Sequence, residues 1–130
     1  MENIIIDTYA WVEYFNGSKK GERLRGFFKK EEASLYTVEC CLAEIKTWCL
    51  REEKDFEQIY QAIKANSIVI PVFTNDWLDA AEERFKIKNS GGNFGLIDAL
   101  QVAKQKRLKA KIITGDKHFK TLKNIIFIGD

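Results

Sequence analysis

Three consecutive isoleucines, Ile4 to Ile6, open the hydrophobic pattern and predict a strand over residues 3–7 that is covered on both faces, as in a parallel sheet. Asp7 ends it. Trp11, Val12 and Phe15 then recur at helical spacing over 8–15, and Asn16-Gly17-Ser18 is a break that can cap a second helix over 19–30. That helix turns Leu24, Phe27 and Phe28 inward and its lysines and arginines outward. A brief strand follows over 33–36. Thr37 suits the cap of a helix running to about residue 52, with an apolar stripe of Cys41, Ile45, Trp48 and Cys49. Phe56, Ile59, Tyr60 and Ile63 predict a helix over 55–65, and 67–70 is an apolar strand stopped by Pro71. Residues 76–86 form an amphipathic helix on Trp77, Ala80, Ala81 and Phe85, and 88–93 is a polar, glycine-rich mobile loop.

The last third is the most informative. Leu96, Ala99, Leu100 and Ala103 recur at helical spacing, while Lys104, Lys106, Arg107 and Lys109 crowd the far end, where cations suit the carbonyl pole of a helix. Lys111 to Thr114 is a short strand closed by Gly115-Asp116, residues 117–123 are a polar turn, and 125–128 make a last strand ending at Gly129-Asp130. Strands alternating with helices predict an α/β fold of three layers, a parallel sheet between helical layers with right-handed crossovers. In such folds the working crevice lies beyond the carboxyl ends of the strands, where strand order reverses. Asp7 and Asp116 both follow strands directly, so both belong at that edge.

Composition narrows the function classes. The chain has 130 residues, 45% of them hydrophobic, which is enough for one core and one domain over 1–130. The net charge of +2, from 21 basic and 19 acidic side chains, excludes a global field that coats nucleic acid indiscriminately. Basic surface is local: one band comprises Lys19, Lys20, Arg23, Arg25, Lys29 and Lys30, and a second runs from Lys104 to Lys111 with Lys117, Lys120 and Lys123, nearer the expected crevice. Cys40, Cys41 and Cys49 lack metal-ligand spacing and read as reduced core residues of a cytosolic protein. The first residues lack the basic region and apolar length of a signal peptide, so a soluble intracellular protein is expected. Trp11, Trp48 and Trp77 all occupy helix positions that face the core.

Each acid at the expected crevice has an ordinary explanation when taken alone. Asp7 can cap the helix at Thr8, Asp98 sits in a first helical turn, and Asp116 follows Gly115 in a turn. Glu44 is harder to explain, because a mid-helix carboxylate beside a buried stripe is seldom taken from water without a partner. Together, four like charges at one crevice would repel unless a divalent cation neutralised them. All-oxygen ligation points to Mg²⁺ or Mn²⁺, which can polarise a phosphoryl oxygen and lower the pKa of bound water. The matching reaction is phosphodiester hydrolysis. His118, the only histidine, reads as an exposed turn residue two positions beyond Asp116.

Ile-Ile-Ile-Asp-Thr at the N-terminus, Leu-Ala-Glu-Ile around Glu44, Leu-Ile-Asp-Ala-Leu around Asp98 and Ile-Ile-Thr-Gly-Asp-Lys-His-Phe around Asp116 resemble, in order, the signatures of PIN domains, and the whole chain resembles the small VapC-type toxins. The resemblance implies a PIN-like fold with a five-stranded parallel sheet, and carries Asp7, Glu44, Asp98 and Asp116 over as catalytic, metal-binding acids. It likewise implies supporting hydroxyls at Thr8 and Thr114, a Mg²⁺- or Mn²⁺-dependent endoribonuclease acting on RNA in the cytoplasm, a homodimer, and a cognate antitoxin partner. His118 stands where many relatives have a further acid, which leaves one metal or two open. The competing expectation is an inert PIN-like module that binds RNA or protein. An aspartyl phosphatase ranks below both, because Asp7-Thr8-Tyr9 lacks a second acid two residues on.

Overall fold

The computed structural model describes residues 2–92 and 94–129. Strands and helices follow in the order β1 (Glu2–Ile6), α1 (Thr8–Phe15), α2 (Lys19–Phe28), β2 (Ala33–Val38), α3 (Cys40–Arg51), α4 (Phe56–Asn66), β3 (Ile68–Ile70), α5 (Thr74–Asn89), α6 (Leu96–Leu108), β4 (Lys111–Thr114) and β5 (Ile125–Phe127). The five strands make one sheet in the order β3-β2-β1-β4-β5, and every pairing is parallel. The chain therefore winds outward from β1 through β2 to β3, then crosses back to β4 and β5. Right-handed crossovers in opposite directions put α5 and α6 on one face and the earlier helices on the other. The reversal falls between β1 and β4, where Ile6 is in register with Ile113.

Burial on both faces explains the isoleucine runs. Ile4, Ile5, Ile6, Ile112 and Ile113 have no exposed surface. Asp7 starts α1 by accepting a hydrogen bond at Oδ1 from Ala10 N (3.0 Å), and Ser18 starts α2 by accepting from Gly21 N (3.1 Å). Gly21 is where α2 crosses α1: a methyl group there would come within 2.5 Å of Tyr14 Cα, so only glycine lets the helices approach this closely. Among the described residues no helix is long and apolar enough to cross a membrane.

Three local expectations are corrected. Thr37 does not cap α3; β2 runs through Val38, which is in register with Ile70, and Thr37 is buried within it. Its hydroxyl accepts from Trp11 Nε1 (3.1 Å) and bonds Ser67 Oγ (2.7 Å), while Glu39 precedes α3 and accepts from Val72 N (2.7 Å). Trp11 and Trp48 face the core, but Trp77 is 37% exposed and Phe85 is 67% exposed. The reason is that α5 turns Asp76, Ala80 and Glu83 toward α6, where Lys104 meets Asp76 (2.6 Å), Lys106 meets Glu83 (2.7 Å) and Arg107 meets Asp79 (2.5 Å). Charge pairing sets the rotation of that helix and leaves Trp77 and Phe85 outward, while Ala80 is buried as expected. The expected loop begins later than the pattern suggests, since α5 persists to Asn89; Asn93 and Asp130 lie outside the described residues.

Candidate active-site crevice at the strand-order reversal

Asp7 leaves the end of β1 and Asp116 follows β4 by two residues, so the topology sets both at the carboxyl edge where strand order reverses. Asp7 N donates to Ile113 O (3.2 Å), which ties the two strand ends together. Asp98 comes from the first turn of α6 and Glu44 from the middle of α3. All four acids line a single crevice of about 220 Å³, together with Thr8, Tyr9 and Gln101. Thr8 Oγ1 donates to Glu44 Oε1 (2.7 Å). Thr114 Oγ1 accepts from Asp116 N (3.0 Å) and hydrogen-bonds the Asp7 carboxylate. The side chain of Asp116 accepts at one oxygen from His118 N (2.9 Å) and contacts His118 Nδ1 (2.8 Å).

Burial dominates the electrostatics. Asp7 is 5% exposed, and desolvation pushes its pKa up to about 7 against the pull of the Thr114 hydroxyl and the Ala10 N–H; the charges of Asp98 and Asp116 push the same way. Asp98 rises to about 6, again through burial first, then through Asp116 and Glu44, with the Gly95 N–H and His118 opposing. The acids therefore sense one another across the crevice.

Sequence reasoning missed two lining residues. Gln101 lies one turn beyond Asp98 and is 2% exposed; its Nε2 donates to Cys41 Sγ, and its Oε1 has no partner among the described residues. A polar residue three positions after an acid on a helix shares its face, and that spacing was the available signal. Tyr9 follows the Asp7-Thr8 pair and sits at the crevice for the same local reason. Two other readings are corrected. Glu44 is exposed, so its position owes nothing to burial beside the apolar stripe. The second basic band is no lining for this crevice: Lys104, Lys106, Arg107 and Lys111 are taken up in ion pairs, and Lys106, Lys109, Lys111 and Lys123 border a larger cleft of about 1440 Å³ at the opposite, amino-terminal ends of the strands. His118 is 55% exposed, as expected of a turn residue. Cys41 and Cys49 are buried free thiols and Cys40 is half-buried.

With this geometry established, comparison with known proteins identifies its kind. The family model described as PIN domain matches residues 4–125. The chain belongs to the PIN-domain family. No curated protein matches its sequence. Solved structures similar to it include a toxin-antitoxin complex from Klebsiella pneumoniae, at 14% identity, 96% and 97% coverage of the two chains and a TM-score of 0.75. The Mycobacterium tuberculosis VapC20 toxin, described as cleaving the sarcin-ricin loop, matches at 18% identity, 93% and 95% coverage and a TM-score of 0.73. VapBC2 from Rickettsia felis, bound to a fragment of its promoter DNA, matches at 18% identity, 96% coverage of both chains and a TM-score of 0.70. This PIN domain thus has the VapC fold over nearly its full length.

The donors of this PIN domain suit a hard divalent cation. They are oxygens only, and Gln101 adds an orphaned buried oxygen beside them. Among the described residues, no three Asp, Glu, His or Cys side chains stand close enough to chelate a bare ion.

Proposed function

We propose that this PIN domain is a Mg²⁺- or Mn²⁺-dependent endoribonuclease that hydrolyses RNA phosphodiester bonds, the toxin of a toxin-antitoxin pair. The observation that carries the reading is the convergence of Asp7, Glu44, Asp98 and Asp116, from four separate elements, on one crevice at the strand-order reversal. Family membership supports a nuclease, and similarity to toxin-antitoxin structures supports an antitoxin partner. A homodimer working in the cytoplasm completes the proposal.

The four carboxylates would hold the cation, which when bound supplies charge neutralisation at a phosphoryl oxygen and activation of water. The chain's own residues do the rest. Thr8 holds one oxygen of Glu44 in place, and Thr114 orients Asp7 while bonding the amide of Asp116. Asp7 and Asp98, whose pKa values are raised first by burial and then by neighbouring charges, would shed their protons more readily with a cation beside them. Unpaired RNA is the substrate form that suits a shallow crevice, because its backbone and base edges are accessible.

Asp98→Asn tests the reading. The variant is expected to lose at least about 100-fold of Mn²⁺-stimulated RNA cleavage, and full activity in the purified variant would overturn the assignment. One observation favours an inert binding module, namely that the acids do not close on a point. Calorimetric titration decides between the two: no Mn²⁺ binding at millimolar concentration would support the inert module.

A further inference from the structure

The crevice holds about 220 Å³. That is below the roughly 300–1,000 Å³ of clefts that enclose whole small molecules. On the ribonuclease reading the crevice would take the phosphodiester and its cation, and a nucleobase flanking that phosphodiester would rest at the rim. Among the seven lining residues one is aromatic, Tyr9.

Tyr9 is half-buried, and its ring occupies the space that a side chain at position 115 would need. A methyl group on Gly115 would fall 2.7 Å from Tyr9 Cδ1 and 3.1 Å from Cζ, so the missing Cβ is what lets the ring lie there. The ring is thereby set beside the β4 end that carries Asp116. Yet among the described residues it forms no ring pair and its hydroxyl makes no hydrogen bond. An aromatic ring fixed by packing, unpartnered and at the lip of an acid crevice has what a stacking platform needs: a π surface whose orientation costs little to hold when a base arrives.

We propose that Tyr9 stacks an unpaired nucleobase next to the phosphodiester held among the four acids, and so sets where along a single strand the chain is cut. The inference rests on the reading of the crevice as a ribonuclease site. It makes Tyr9 a residue that touches the substrate without sharing in the chemistry.

The experiment uses the full chain and a single-stranded 12-nucleotide RNA in Ca²⁺, with RNA integrity checked on a gel. A fluorescent 2-aminopurine, and separately an abasic residue, is walked along the strand. Wild type is expected to quench 2-aminopurine at one or two adjacent positions, and an abasic residue there weakens binding roughly tenfold, within the range that stacking on one aromatic ring supplies. Tyr9→Phe keeps both effects, because they need the ring alone. Tyr9→Ala loses the quenching, and its weaker binding no longer depends on the base at that position. Unchanged quenching in Tyr9→Ala, or alanine and abasic losses that multiply, would overturn the proposal. Calorimetry keeps the two readings apart. If wild type binds neither Mn²⁺ nor RNA, the ribonuclease reading falls and this inference with it. If wild type binds both and Tyr9→Ala binds RNA identically, the stacking role alone falls.

Discussion

Asp7 offers the sharpest quantitative test, because replacing it with Asn keeps its shape and removes its charge. In the folded protein its pKa lies at about 7, against 3.8 in the unfolded chain. The folded state therefore binds more protons between those values. Stability from this group is fully present below about pH 4 and is lost as pH rises through 7. A shift of about 3 units corresponds to roughly 4 kcal/mol, and burial of the side chain leaves little solvent screening to discount. Asn at position 7 can still accept from Ala10 N, but it leaves the Thr114 hydroxyl proton without its acceptor, a loss of about 1 kcal/mol. The net expectation is a gain of about 3 kcal/mol at pH 8 and a loss of about 1 kcal/mol at pH 4. For a chain of this length the pH 8 gain raises Tm by about 10 °C. Thermal unfolding followed by circular dichroism in EDTA, from pH 4 to pH 8, measures it. The two Tm curves should cross. Parallel curves would refute the claim that a buried, uncompensated carboxylate strains the fold here, and with it the argument that this position calls for a cation.

Three further expectations follow from other contacts. Lys104→Met leaves the fully buried Asp76 with Arg107 Nε at 3.4 Å as its remaining cation, and should lower stability by about 3 kcal/mol in urea unfolding; a loss under about 1 kcal/mol would show that Asp76 is not held by the pair. Thr8→Val removes the hydroxyl that holds Glu44 and should weaken Mn²⁺ binding by about tenfold in calorimetry, an effect that would be absent if Glu44 takes no part in binding. Light scattering should return about twice the monomer mass for the proposed homodimer, and the monomer mass alone would exclude it.

Most of the fold was legible because its signals are local. The triple isoleucine, the break at Asn16 to Ser18 and the strand ending at Thr114 before Gly115-Asp116 each specify their element without help from distant parts. The misreadings fell where tertiary partners decide. Thr37 has the chemistry of a cap, yet the register of β2 with β3 holds it inside the sheet, where Trp11 and Ser67 use its hydroxyl. Of the stripe expected on α5, Ala80 is buried, yet Trp77 and Phe85 are not, because α6 presents cations to the side that carries Asp76 and Glu83. No periodicity in one helix can reveal the charges on another. Asp7, Asp98 and Asp116 could be nominated from strand ends and a helix start, and Glu44 as a mid-helix acid beside an apolar stripe, whereas Tyr9 and Gln101 emerged only when the crevice had walls.

The arrangement of the acids then has a simple physical account. Four carboxylates brought to one place repel, and each is found with a neutral or weakly basic tether of its own: Ala10 N and Thr114 for Asp7, Thr8 for Glu44, the Gly95 N–H for Asp98, and His118 for Asp116. All four line one volume. A fold that merely tolerated four acids would let them turn out to water, as Glu44 on its exposed helix surface could do at little cost. Glu44, though exposed, is instead held toward the crevice by a threonine from α1, and Asp7 stays buried although its charge costs stability. Repulsion left in place at a strand-order reversal is the condition under which a divalent cation gains most by binding, since it relieves strain already present in the fold.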